Sequence, residues 1–432
     1  MVFKDVTEEQ CQSNPYARLV PGQTIVEIPQ YDLECGETLY NFPVAYKTWG
    51  KLNENGDNVL VICHALSGSS DVDDWWGELL GENKAFDPTK YFIICINFLG
   101  SPYGSCSPVT IDKSTGKPYG PSFPLVTFKD DVGIQKLILD SLNVKSLAAV
   151  IGGSMGGMLA LEYSAIYNNT GYVKKVVALA TAARTSAWCI SWNETQRQCI
   201  FSDPYYDDGY YYETGNKPTS GLSAARMAAL LTYRSRNSFE NRFGRKLGVR
   251  KSSSASLSPD GENSGRSSPR PRSKQEEHSL LHNDGSKSVK GDATPVNEKY
   301  PPTYFSAQSY MRYNGSKFID RFDANCYISI SRKLDTNDLT RGRITNLEEH
   351  MNGHSNGHDS KDPLVEVLQG LSTPTLIIGI ESDHLFTITE QRLLADNIPN
   401  SIFEKLDSEE GHDAFLLEFE KINTFITSFM SN

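Results

Sequence analysis

Three residues of the right types, in the right chain order, could carry acyl chemistry here: Ser154, Asp383 and His412. Ser154 is the centre of Gly152-Gly153-Ser154-Met155-Gly156, the pattern G-x-S-x-G. The apolar run Leu147 to Ile151 precedes it and reads as a buried strand, and Met158 to Tyr163 reads as a helix start. A strand-to-helix turn this sharp strains the backbone of its central residue and needs small neighbours. It would hold the serine Oγ clear of the sheet at a helix N-terminus, where free N–H groups and the helix dipole favour negative charge. Taken alone, the five residues could equally be a glycine-rich turn that packs closely, or a weak dinucleotide loop.

A serine nucleophile needs partners, and in this kind of turn the order is Ser, then Asp or Glu, then His. The apolar run Thr375 to Ile380 ends in Glu381-Ser382-Asp383-His384, and Gly411-His412-Asp413 follows further on. Asp383 at a strand end and His412 in a later loop would converge on Ser154. His412 would take the serine proton, and Asp383 would fix its tautomer and stabilise the imidazolium. Singly, Asp383 could cap a helix before Leu385 and His412 could be a surface loop residue. His384 is a poorer base because adjacent side chains seldom face one another.

These residues need a sheet to position them. Thr24 to Ile28 and Val44 to Thr48 alternate like the strands of an opening antiparallel hairpin, after an irregular first 21 residues. The continuous apolar runs 58–63 and 91–96 suit central parallel strands. A helix is expected over 130–142 and a further strand over 173–179. Strands alternating with helices imply an α/β fold, a mostly parallel sheet covered on both faces. After Ala180 the pattern breaks: 186–198 and 221–233 read as helices, and no buried strand returns until Thr375. The expected organisation is a core of residues 1–183 and 371–432, with residues 184–370 inserted as a helical lid over the sheet edge where such active sites lie. Within the lid, residues 248–297 have almost no aromatic or β-branched side chains and are expected to be disordered.

Composition narrows the function classes. A chain of 432 residues can bury a large core. Its net charge of −11 argues against a nucleic-acid footprint. No apolar run approaches the roughly 20 residues of a membrane span. The start, MVFKDVTEEQ, has neither a signal-peptide core nor a transit pattern, so a cytoplasmic protein with no membrane partner is expected. Cys63 and Cys95 lie in strand-like runs as buried thiols, and no cysteine pair has C-x-x-C spacing. His354 and His358 stand four apart, but their Gly, Asn and Ser neighbours oppose a helix, so no metal is expected.

Several further stretches complete the picture: HALSG at 64–68, GPSFP at 120–124, GGSMGGM at 152–158, AARMAALLTYRS at 224–235, YNGSKFIDRFDANCY at 313–327, SDHLF at 382–386 and GHDAFL at 411–416. With them the chain resembles the homoserine O-acetyltransferase family, a branch of the α/β-hydrolase fold. G-x-S-x-G is shared by countless hydrolases, whereas the TYRS and RFDAN stretches are far more restricted. The low-complexity insertion departs from compact family members and points to a fungal branch. The resemblance implies an acyltransferase of methionine biosynthesis that moves acetyl from acetyl-CoA, a co-substrate rather than a cofactor, to the hydroxyl of L-homoserine. Ser154 would carry the acetyl group. The Met155 N–H and, from the loop after the 59–63 strand, the Leu66 N–H would bind the oxyanion. Arg226 would take the acceptor's carboxylate and Asp413 its ammonium, with Tyr233 at the same site. A homodimer through the lid helices is the expected assembly. Serine or succinyl-CoA as substrates of the same family, an esterase with the same triad, and a non-catalytic relative are the competing readings.

Overall fold

A computed structural model describes residues 2–247, 273–283, 305–344 and 362–431. Among the described residues nine strands form one sheet: β1 Lys4–Asp5, β2 Thr24–Asp32, β3 Thr38–Trp49, β4 Val59–Cys63, β5 Phe92–Ile96, β8 Leu147–Gly153, β9 Val176–Leu179, β10 Thr375–Ile380 and β11 Ser401–Leu406. Two short strands, β6 Ile111–Asp112 and β7 Lys117–Pro118, make a separate hairpin. The sheet order is β1-β2-β3-β5-β4-β8-β9-β10-β11. From β5 through β11 every pairing is parallel; β1, β2 and β3 extend the sheet antiparallel.

The central strands are fully buried because both faces are covered. Alternate residues of β4 serve opposite sides: Val59, Val61 and Cys63 join one core, Leu60 and Ile62 the other. The helices Phe128–Ser141 and Met155–Ile166 cover the first face. The helix Phe419–Ser431 covers the second through Ile422, Ile426 and Phe429. Register then decides what meets at the top of the sheet. Cys63 pairs with Gly152, so the loop beginning at His64 lies beside the turn that bears Ser154. Ile378 of β10 pairs with Leu179 of β9, which brings the segment after Ile380 to the same edge.

Between β9 and β10 the helices Ala187–Phe201, Thr219–Tyr233, Arg236–Arg242, Ser306–Phe318 and Ala324–Asp335 form the lid. The helix Pro363–Gln369 instead packs Leu364 and Leu368 with Ile377, Leu394 and Ile398 on the sheet side. That helix had been expected in the lid, and three further features differ from the sequence-based expectation. The first 21 residues are not irregular: β1 pairs with β2, and Thr7–Ser13 is a helix whose entry is tied by Asp5 Oδ1 accepting the Thr7 N–H at 2.8 Å. β11 was not expected, because an edge strand with polar outward positions lacks a continuous apolar run. Lys274–His282 forms a helix within the stretch expected to be disordered. Its start is a reciprocal cap: Ser273 Oγ accepts from Glu276 N at 3.2 Å and Glu276 Oε2 from Ser273 N at 2.9 Å. The rest of 248–297, and His354 with His358, lie outside the described residues.

Candidate active site

The turn between β8 and the helix Met155–Ile166 puts Ser154 at φ 58°, ψ −126°. That strained backbone is available because the neighbouring backbones touch. A Cβ on Gly156 would lie 2.1 Å from Cys63 O, and one on Gly152 would lie 2.1 Å from Gly156 O. The Thr181 hydroxyl donates to Ser154 O at 2.8 Å and fixes the turn from β9's end.

Ser154 Oγ is 2.8 Å from His412 Nε2, and His412 Nδ1 is 2.7 Å from Asp383 Oδ2. Serine, histidine and aspartate are thus joined in one line across 258 and 29 residues of chain. All three are buried. His384, the alternative base, is exposed, and its backbone carbonyl accepts from Trp188 Nε1 at 2.9 Å. Asp383 is held rigidly: Oδ1 accepts the Leu385 and Phe386 N–H groups at 2.8 and 3.0 Å. Gln391, fully buried on the helix Ile388–Asn397, accepts from Ile380 N at 2.8 Å and donates to Phe386 O at 2.5 Å, with Asp383 Oδ2 at 3.4 Å. Sequence reading missed Gln391; its one signal is a glutamine inside an apolar helix face, four residues after the Thr387 cap.

The rings of Phe386 and Phe415 flank the imidazole of His412 at centroid distances of 5.4 and 5.3 Å. Burial alone would lower the His412 pKa. The adjacent Asp383 carboxylate, by its charge and its hydrogen bond, outweighs burial and raises it above the ordinary 6.5.

The oxyanion candidates flank Ser154. Met155 N–H opens the helix and Leu66 lies in the loop after β4, and neither N–H has a protein acceptor among the described residues. Both residues line an inner chamber of about 80 Å³ with Ser154, Arg226, His412 and Asp413. An outer cavity of about 740 Å³ shares Ala65, Ser67, Arg226 and Leu416 with it.

Arg226 reaches in from the helix Thr219–Tyr233. Its guanidinium lies over the rings of Phe318 and Tyr233 at 4.8 and 5.5 Å, and its Nη1 is buried with no hydrogen-bond partner among the described residues. Tyr233 lies against His412, with ring centroids 6.1 Å apart. Asp413 carries a feature that sequence reading missed. Arg234 Nε lies 3.0 Å from its Oδ2, and Arg234 also pairs with Glu410. Burial pushes the Asp413 carboxyl up despite Arg234. Ser235 accordingly docks on Glu409, and Ser238 donates to Glu410 at 2.7 Å, so the lid is pinned to the His412 loop. Arg234 stands inside the TYRS stretch, which was its available signal. Among the described residues no group of three or more His, Cys, Asp or Glu is placed to hold a metal, and no helix is long and apolar enough to cross a membrane.

Residues 58–419 match the family model described as the alpha/beta hydrolase fold. The homoserine O-acetyltransferase of Saccharomyces cerevisiae is 52% identical over 460 residues, covering 98% of this chain and 89% of that one. Among solved structures, homoserine O-acetyltransferase from Bacillus anthracis superposes with a TM-score of 0.73 at 20% identity, over 95% of this chain and 97% of that one. Esterase E22 superposes at 0.71 with 23% identity, over 94% of this chain and 99% of the other; likenesses this distant speak for the fold. By its sequence relatives and its architecture together, the chain belongs to the homoserine O-acetyltransferase family of the alpha/beta hydrolase fold.

Proposed function

We propose that this chain is a cytoplasmic acyltransferase of methionine biosynthesis that moves acetyl from acetyl-CoA to the side-chain hydroxyl of L-homoserine. The observation that carries the reading is the Ser154–His412–Asp383 line opening into a small inner chamber beneath a lid-borne arginine whose buried Nη1 has no hydrogen-bond partner among the described residues. In the first half, His412 Nε2 takes the Ser154 Oγ proton as Oγ attacks the thioester carbonyl carbon. The carbon–sulfur bond breaks, His412 returns the proton to the departing thiolate, and Ser154 holds an acetyl ester. In the second half, His412 deprotonates the homoserine hydroxyl, whose oxygen attacks the ester. The carbon–Oγ bond breaks and Ser154 regains its proton. The Met155 and Leu66 N–H groups hold both oxyanions. The inner chamber suits a small acyl group, and the outer cavity leaves room for the rest of a CoA thioester, which acts as a co-substrate; the mechanism needs no cofactor. The lid limits water, which would otherwise compete for the ester.

Acceptor recognition follows from charge. The free Nη1 of Arg226 suits the α-carboxylate, with Tyr233 beneath the guanidinium. Asp413 offers the ammonium a carboxylate oxygen beside the one engaged by Arg234. Arg226→Leu and Asp413→Asn are expected to lower kcat/KM for homoserine by roughly 10- to 100-fold, the size of a charge-assisted contact. Acetylation of Ser154 by acetyl-CoA should be nearly unchanged. Equal loss in both half-reactions would make the residue structural. A panel of homoserine, serine and water as acceptors, with acetyl- and succinyl-CoA as donors, tests the whole reading. CoA release that does not depend on homoserine would identify an esterase instead.

The pH dependence follows from His412. A base must be neutral to accept the serine proton, so single-turnover CoA release should fall on the acid side with a midpoint above ~6.5. Asp383→Asn removes the charge that raises the pKa and should move that limb to lower pH, besides slowing the reaction. A limb left in place by this substitution belongs to another group.

The proposal extends to a homodimer through the lid helices. Trp188, Ile190, Leu231 and Tyr313 are exposed there. Sedimentation equilibrium should give twice the chain mass, and charged replacements at Trp188 and Leu231 should give monomer. A monomeric parent protein would rule the assembly out.

A further inference from the structure

His64 follows β4 directly and is completely buried, with its ring 4.3 Å from that of Phe98. Each ring nitrogen has one backbone partner. Nε2 is 3.1 Å from the Phe98 N–H, and Nδ1 is 2.8 Å from Ala65 O. A backbone N–H can only donate, so Nε2 accepts and carries no proton. The single ring proton is then on Nδ1, where it is donated to the Ala65 carbonyl. Burial pushes the His64 pKa down to about 3, so the ring stays neutral and this tautomer is the one present at working pH.

The Ala65 carbonyl is one end of a planar trans peptide whose other end is the Leu66 N–H, and the two point in opposite directions. A second donor, the Gly68 N–H, reaches the same carbonyl at 2.9 Å. A Cβ at Gly68 would stand 3.0 Å from His64 Cβ and 3.3 Å from Nδ1, so the loop folds closely over the ring. With its carbonyl held on the protein side by two donors, the peptide presents its N–H on the other side. Leu66 lines the chamber that contains Ser154.

We propose that His64 is a positioning residue for acyl transfer: its Nδ1–H anchors the Ala65 carbonyl and so keeps the Leu66 N–H aimed at the oxyanion formed on Ser154. The inference rests on the reading of Leu66 as an oxyanion donor. A loosened peptide would rotate its carbonyl oxygen towards the developing negative charge, replacing attraction by repulsion. The Phe98 bond alone would have a different role, tying the loops after β4 and β5 together.

Two substitutions separate the bonds. In His64→Asn the side-chain amide nitrogen occupies the place of Nδ1, so the donor to Ala65 O is retained and the acceptor for Phe98 is lost. In His64→Gln the amide oxygen reaches the place of Nε2, so the acceptor is retained and the donor to Ala65 is lost. The probe is p-nitrophenyl acetate, whose acylation of Ser154 needs the oxyanion donors whatever the natural acceptor. A wrong choice of homoserine as acceptor would therefore leave this test intact. The loss of one oxyanion donor costs roughly 10²- to 10³-fold in kcat. His64→Gln is expected to lose that much in both acylation and deacylation with KM little changed, and His64→Asn to stay within about tenfold of the parent. The thermal unfolding midpoint of each variant is measured alongside. The proposal is overturned if His64→Gln outperforms His64→Asn, or if the two lose activity equally. Should His64→Gln fail to fold, a full loss of activity in a folded His64→Asn would overturn it as well.

Discussion

Ser154→Ala is expected to abolish acyl transfer, by roughly 10⁴–10⁶ in rate, in a protein that remains folded. The folding expectation comes from the local geometry. Ser154 Oγ bonds only to His412 Nε2 among the described residues, while the strained turn is fixed by the backbone approach of Gly152 and Gly156 and by Thr181. Alanine needs no more room than serine at that φ, so the turn stays. The chemical expectation comes from Ser154 being the lining hydroxyl that is bonded to His412 Nε2. The cysteine of the chamber lining, Cys189, is buried, and burial holds its thiol well above the ordinary range. The measurement is intact-protein mass after mixing with acetyl-CoA and no acceptor. The parent should gain one acetyl group, mapped to the Ser154 peptide, and the variant none. Because the triad acts as a unit, adding His412→Ala to Ser154→Ala should cost almost nothing more. An acetyl group found on a cysteine, or a further large loss in the double variant, would refute the assignment.

The parts of this site that were legible in the sequence are those encoded locally. The G-x-S-x-G turn announces itself because glycine is required wherever backbones touch, and the central strands are visible because burial on both faces leaves continuous apolar runs. Asp383 and His412 were reached through chain order at strand ends, a topological rule that does not depend on contacts. What the sequence did not reveal is held by long-range polar contacts. His64 meets Phe98 34 residues away, and Arg234 meets Asp413 across the lid. No periodicity marks a histidine as an acceptor or an arginine as the partner of a carboxylate. The helix Lys274–His282 was missed for the opposite reason: its cap is local, but composition was averaged over a long polar stretch. The extra edge strand β11 shows the limit of apolar runs as a guide, since its pairing with β10 is set by backbone bonds rather than by burial of every side chain.

The largest effect on stability should come from Lys333, which no pattern in the sequence singles out. It projects from the lid helix Ala324–Asp335 and is completely buried. Its Nζ lies 2.5 Å from Asp131 Oδ2 and 2.8 Å from Leu99 O, and Asp131 Oδ1 accepts the Leu99 N–H at 3.0 Å. One ion pair therefore fastens the lid to the core helix Phe128–Ser141 and to the loop after β5, behind the peptide that bonds His64. Burial pushes the Asp131 carboxyl up to about 6 and the Lys333 ammonium down, against their mutual attraction. Lys333→Met removes one charge and strands the other, which costs about 3–5 kcal/mol, whereas replacing both members with apolar groups is often close to neutral. Lys333→Met and Asp131→Leu should each lower the urea midpoint strongly, and the double variant should recover most of the loss. The sign of the pH dependence is fixed by the same charge. Without Lys333 the buried Asp131 has a folded-state pKa raised still further above its unfolded value of ~3.9. The penalty is complete above the folded pKa and disappears as the carboxyl takes up a proton on acidification. Measured against the parent, whose own Asp131 is pushed up to about 6, the Lys333→Met deficit should therefore shrink as the pH falls towards about 6 and level off below it, while Asp131→Leu should show no such relief. Strictly additive losses in the double variant, or a Lys333→Met deficit that grows on acidification, would mean that the pair does not fasten the lid in the way its geometry implies.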